Sequence, residues 1–209
     1  MENHCRFLSK RLVLTFLLLI NSVLIYSQVK FEKGYIIDMQ NNKVDAFVKD
    51  TGWLYNPTKI KYKLGNSKET LTGDITNIKG FKIENGAEYA LATVKIEEGT
   101  YNVQNLTSDK VLRFTTEKIF LRVLYTGKIS LYEYGTGKHR RYIISRDGKN
   151  FEQLINKPYL NDNLRVTYMK MYRDQLKKEL DCATIDATEF NLEYDPNEII
   201  KLLKKYNDC

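Results

Sequence analysis

Between Lys30 and about Leu154 the chain has mostly strand periodicity, with apolar and polar residues alternating along successive runs. Side chains on a strand point to opposite faces with a period of two, so this pattern predicts half-buried strands. Thr58 to Leu64 is the strictest case, with Ile60, Tyr62 and Leu64 on one face and lysines on the other. Gln40-Asn41-Asn42 separates two such runs, Gly34 to Asp38 and Lys43 to Lys49, as in a hairpin. Phe81 to Ile83 and Tyr89 to Ile96 continue the series. Lys118 to Tyr125, Ile129 to Tyr134 and Arg140 to Ser145 follow, joined by Thr126-Gly127-Lys128 and Gly135-Thr136-Gly137-Lys138. Asp147-Gly148 then turns the chain into Phe151 to Ile155. Parallel neighbours need crossovers of a dozen or more residues, so these connections make an antiparallel meander.

The period changes in the last fifty residues. Leu164, Tyr168, Tyr172 and Leu176 recur every four positions with basic residues largely opposite, which predicts an amphipathic helix over about 162–180. A second helix starts at Asp195-Pro196-Asn197-Glu198, which offers an N-cap acid, a proline at the first helical position and a glutamate three residues after the cap. Ile199, Ile200, Leu202, Leu203 and Tyr206 supply its apolar face. The expected fold is therefore α+β: an antiparallel β meander of about 8–10 short strands, as a sheet or a partly open barrel or sandwich, followed by two C-terminal amphipathic helices. One domain is expected over 28–209, mainly β over 28–158 and helical over 159–209.

The first residues differ from the rest. Arg6, Lys10 and Arg11 precede an apolar run from Leu12 to Tyr26, and Ser27-Gln28 leads abruptly into charged, alternating sequence. A basic start, a short apolar core and a small residue at the junction describe a signal peptide over 1–27, cleaved near Ser27/Gln28. The run of about 15 residues falls short of the roughly 20 that a membrane span requires. Cys5 precedes the run, so it is not placed as a lipoprotein acylation site. Export to the periplasm or cell envelope is the expectation, with no transmembrane span in the mature chain. Loss of Glu2, Arg6, Lys10 and Arg11 lowers the net charge from +7 to +5, and loss of His4 leaves His139 as the one histidine. Cys182 and Cys209 remain. In an oxidising compartment they read most simply as one disulfide, with two free thiols or intermolecular pairing as the alternatives.

That inventory constrains chemistry. With His139 as the lone histidine, at a turn before Arg140-Arg141, no serine or cysteine triad has a signature, and no catalytic residue is assigned. The cysteines lie too far apart for a metal-binding pair and no calcium loop is present, so no metal or cofactor is expected. Gly135-Thr136-Gly137-Lys138 lacks the first glycine of a phosphate loop, since Tyr132 stands there. Glu97-Glu98 could serve a carboxylate-based hydrolase, but neighbours on a strand face opposite ways, so the pair reads as a solvated strand end. The lysines are dispersed without a recognition motif, and nucleic acid is not expected as a partner. Of 15 tyrosines, most alternate with charges as sheet residues do. The residues that could face a ligand are Trp53, Tyr132, Tyr134, His139 and Arg141. These observations favour a non-catalytic module for protein interaction or assembly, with glycan or small-ligand binding through a tyrosine-rich sheet face as the alternative.

Several short patterns carry a wider likeness. They are Lys33-Gly34-Tyr35-Ile36, Trp53-x-x-Asn56-Pro57, Ala92 to Ile96, Phe120 to Leu124 with Leu131-Tyr132, Arg141-Tyr142, Gln153-Leu154, Lys157-x-Tyr159-Leu160, Leu180-x-Cys182 and Tyr206-Asn207-x-Cys209. Together they resemble an uncharacterised family of exported proteins of Bacteroidota-type (flavobacterial) bacteria. In some members the unit precedes an outer-membrane β-barrel. The resemblance implies a cell-envelope setting, with other envelope proteins or surface glycan as partners. It also implies a Cys182–Cys209 disulfide, and it brings no catalytic residue with it.

Overall fold

A computed structural model describes residues 30–53, 55–136 and 139–209, with the side chain of Thr136 left aside. The signal-peptide reading and its cleavage point lie outside these residues. The described chain forms twelve strands: β1 (Phe31–Asp38), β2 (Lys43–Lys49), β3 (Lys59–Leu64), β4 (Leu71–Asp74), β5 (Ile78–Ile83), β6 (Glu88–Glu97), β7 (Phe114–Tyr125), β8 (Ser130–Thr136), β9 (His139–Ser145), β10 (Glu152–Leu154), β11 (Lys157–Leu160) and β12 (Val166–Met169). Two helices follow, α1 (Tyr172–Glu179) and α2 (Pro196–Asn207). The expected antiparallel sheet with two C-terminal helices is what forms.

Ten strands make one sheet in the order β10-β9-β8-β7-β6-β5-β1-β2-β3-β4, and β11 and β12 pair separately. The order departs from a simple meander at one point, because β5 pairs with β1 rather than with β4. Three residues join β4 to β5, so the sheet must curl to bring its β4 edge near β5 without forming a ladder. Gly34 permits the tight β1–β5 approach, since a Cβ there would overlap the Lys82 carbonyl oxygen. The sheet does not close into a barrel.

Alternation along β7 separates the interior into layers. Phe120 packs with Ile36, Val48, Ile60, Ile78, Phe81 and Tyr89 inside the β1–β5 curl. Its neighbours Ile119 and Leu121 point the other way, into a core with Ala92, Val94, Tyr132, Tyr134 and Ile143. A single bridge from Val94 to Phe151 brings the end of the sheet back beside β6. The helices cover the face of β8–β10 opposite that second core. Leu131, Tyr142, Ile144 and Leu154 meet Leu176, Leu180, Ile199, Leu202 and Leu203 there. Asp195 caps α2 by accepting from the amides of Asn197 and Glu198, with Pro196 at its first position. The Cys182–Cys209 disulfide joins the segment after α1 to the end of α2, with Cα atoms 6.3 Å apart.

The expected helix over 162–180 is largely replaced by a hairpin, and α1 starts only at Tyr172. The Asn161 side chain accepts from the amides of Asn163 and Arg165, and Leu164 takes a left-handed φ of 56°. This Asx-type turn folds β12 back onto β11. Leu164, Tyr168 and Tyr172 are four apart, but Leu164, Val166 and Tyr168 are equally the period-two face of a strand. The helical boundary at 159 therefore moves to 172. Among the described residues no helix is long and apolar enough to cross a membrane.

Candidate functional site

The residues expected to face a ligand do not share a surface. Trp53 follows β2 and sets its ring edge against Phe81 and Tyr89, at centroid distances of 5.4 and 5.6 Å, on the β1–β5 side. Tyr132, Tyr134 and Arg141 belong to the opposite face and are interior, at 7%, 7% and 8% exposure. The Tyr134 hydroxyl donates to the Glu117 carboxylate at 3.2 Å. His139 opens β9 half-buried, its ring centroid 6.3 Å from that of Tyr101.

Arg141 leads instead to an internal polar cluster. Its guanidinium lies 4.2 Å from the Tyr101 ring centroid, and Nη2 donates to the Gly99 carbonyl at 3.2 Å. Beside it, the Lys157 ammonium donates to Glu97 Oε1 at 2.9 Å and to the Val111 carbonyl at 2.7 Å. Gln153 Oε1 accepts from the Glu97 amide at 2.9 Å. Glu97 is fully buried and Lys157 nearly so, which corrects the reading of Glu97 as a solvated strand end. The backbone at Gly99 lies over this carboxylate, since a Cβ there would sit 2.7 Å from both oxygens. Glu97 Oε2, Arg141 Nε, Gln153 Nε2 and Tyr101 Oη meet no hydrogen-bond partner among the described residues. Burial pushes the Tyr101 hydroxyl pKa up, against the lowering influence of Arg141. Desolvated ions of this kind persist only when paired, so the cluster pins three segments: the end of β6, the 98–113 loop and β11. The sequence offered one signal for it, a single lysine, Lys157, within the otherwise uncharged run Gln153 to Asn161.

Three side-chain amides complete the main sheet where backbone partners run out. Asn77 donates from Nδ2 to the Thr72 carbonyl at 3.0 Å and accepts at Oδ1 from the Asp74 amide at 2.8 Å, closing the β4 edge. Gln175 on α1 does the same for β10, donating to the Gln153 carbonyl at 2.9 Å and accepting from the Ile155 amide at 2.8 Å. Asn56 enters between β7 and β8, donating to the Phe120 and Glu133 carbonyls and accepting from the Gly135 amide. Edge strands offer unpaired donors and acceptors to any passing chain, and these amides remove that opportunity at both ends of the sheet.

Among the described residues the hairpin has no such closure. The Leu160 amide donates to the Thr107 carbonyl at 2.9 Å, on the side of β11 away from β12. Opposed residues in an antiparallel pair either exchange both main-chain bonds or turn both away. Leu160 opposes Val166, and Pro158, which has no N–H, opposes Tyr168. The N–H and C=O groups of Val166 and Tyr168 therefore point outward from β12. The turn and strand are apolar on their surface: Leu164, Val166 and Tyr168 are 78%, 40% and 47% exposed. Met171 extends the patch, and Arg165 stands exposed within it.

Compared with protein-family models, curated proteins and solved structures, the chain matches none. Among the described residues no group of three or more His, Cys, Asp or Glu side chains is placed to hold a metal ion.

Proposed function

We propose that this chain is a non-catalytic interaction or assembly module of the bacterial cell envelope, and that it takes up a partner's extended segment as a new strand on β12. The open, apolar β12 edge carries the reading, because the other two sheet edges are each closed by a side-chain amide. Strand addition draws affinity from main-chain hydrogen bonds and specificity from alternate side chains, and β12 offers both. The exposed Arg165, with Lys110 on a neighbouring segment, favours a partner strand that alternates apolar residues and carries an acidic one. The basic-then-apolar N-terminus and the cysteine pair support the envelope setting.

Display of random ten-residue peptides against the oxidised protein tests this. The selected peptides alternate apolar residues with at least one acid, and Val166→Pro weakens them by about ten-fold or more. That substitution removes one outward N–H and leaves the β11–β12 ladder bonds in place. Binding indifferent to Val166→Pro would refute strand addition. Recovery of the protein only in the cytosolic fraction of its host would refute the envelope setting.

A further inference from the structure

On the β1–β5 face, away from the hairpin edge, Glu133 sits between two arginines. Its carboxylate is almost fully buried and accepts from Arg140 Nη1 at 3.0 Å and Arg122 Nη1 at 3.4 Å. Both guanidinium groups are about half exposed, and their remaining N–H groups meet no acceptor among the described residues. The three groups line a cleft of about 110 Å³ with Trp53, Tyr55, Asn56 and Tyr89. Asn56 fixes its floor through its bonds to Phe120, Glu133 and Gly135. Trp53 is held edge-on by Phe81 and Tyr89, while Tyr55 stands 60% exposed at the rim.

This arrangement is selective. The lining charges sum to one excess positive charge, from two arginines and one glutamate, so an anion is favoured. Guanidinium groups present paired donors that match a planar carboxylate. The buried Glu133 carboxylate disfavours a doubly charged phosphate more than a single carboxylate, and its spare lone pairs accept a hydroxyl. The cleft has room for a carboxylate group but not for a whole sugar ring, so the rest of a ligand lies over Tyr55. An exposed aromatic face beside a polar pocket suits the apolar C–H face of a pyranose.

We propose that this cleft binds a carboxylate-bearing pyranose, a uronic acid residue of an acidic glycan, with its carboxylate on Arg122 and Arg140, a hydroxyl on Glu133 and its ring against Tyr55. The site is independent of strand addition at β12, and either can fail alone.

Titration of the oxidised protein with digalacturonate, its neutral disaccharide counterpart, inorganic phosphate and the dipeptide Ala-Tyr, read by calorimetry, tests the proposal. Digalacturonate binds, and the other three bind at least about ten-fold more weakly. Arg122→Gln and Arg140→Gln each weaken digalacturonate by about ten-fold or more. Tyr55→Ala, at an exposed position that does not threaten the fold, weakens it by about three-fold or more. Equal binding of the neutral sugar, phosphate binding as tight as digalacturonate, or tighter binding of the dipeptide would each overturn the proposal. Absence of digalacturonate binding, or full affinity in the folded Arg122, Arg140 or Tyr55 variants, would overturn it too.

Discussion

The Leu160 amide reaches the Thr107 carbonyl at 2.9 Å, and this bond decides which main-chain groups of β12 face solvent. Because β11 spends Leu160 on the 98–113 loop, Val166 opposite must turn its own N–H and C=O outward. The loop is held in turn by the Lys157 bond to the Val111 carbonyl, so the buried ion pair beneath it supports the geometry of the exposed edge.

Removing one member of that ion pair leaves the other charged and buried. Lys157→Ala should destabilise the fold by about 3–5 kcal/mol. Pairing it with Glu97→Leu should recover part of the loss, because the double variant no longer leaves Glu97 buried without its counter-ion. Urea unfolding of the wild-type protein and the two variants measures both effects.

Gln175 is the closure of the β10 edge. Gln175→Leu strips partners from the buried Ile155 amide and from the Gln153 carbonyl, and should cost about 2–3 kcal/mol. The opened edge should also raise concentration-dependent self-association in sedimentation runs, while the wild-type protein remains unchanged.

Much of this design was legible in the sequence, and the illegible part has identifiable causes. Strand alternation from Lys30 to Leu154 marked the sheet, and Asp195-Pro196 marked α2 with its cap, because local chemistry determines both. The β11–β12 hairpin was hidden because Leu164, Tyr168 and Tyr172 fit a period of four as well as a period of two. Only the Asn161 turn, a local Asx-type feature that hydrophobic periodicity does not register, separates the two readings. The β5–β1 pairing was likewise invisible, since a three-residue turn normally pairs its own flanking strands. Glu97 looked solvated because its counter-ion, Lys157, lies sixty residues away. Asn56 and Gln175 carry no local signal for their roles, as each acts on a strand that other parts of the fold bring to it, whereas Asn77 acts within its own turn, on Thr72 and Asp74.

Tyr142 gives a signature at high pH. Burial first, then the nearby Glu133 and Asp195 carboxylates, push its pKa up to about 12, against a lowering by Arg140. A raised pKa means that the folded state favours the neutral phenol. Its contribution is complete below the unfolded value near 10 and declines as pH rises from about 10 to about 12. The melting temperature should fall across that window, and Tyr142→Phe should flatten the fall.

The disulfide stabilises the helical end of the domain. Its closed loop of roughly 28 residues should contribute about 3–4 kcal/mol, lost in Cys209→Ser. Thermal melting of the oxidised protein, the reduced protein and the variant should place the latter two together and below the first.

Residue-resolved amide hydrogen exchange in the isolated protein reads the open β12 edge without any partner. Thr167 and Met169, whose amides bond to β11, should be protected, while Val166 and Tyr168 should exchange at nearly open-chain rates and gain protection when a selected peptide binds. Protection of Val166 and Tyr168 in the free protein, or their continued rapid exchange in the peptide complex, would rule out strand addition at β12.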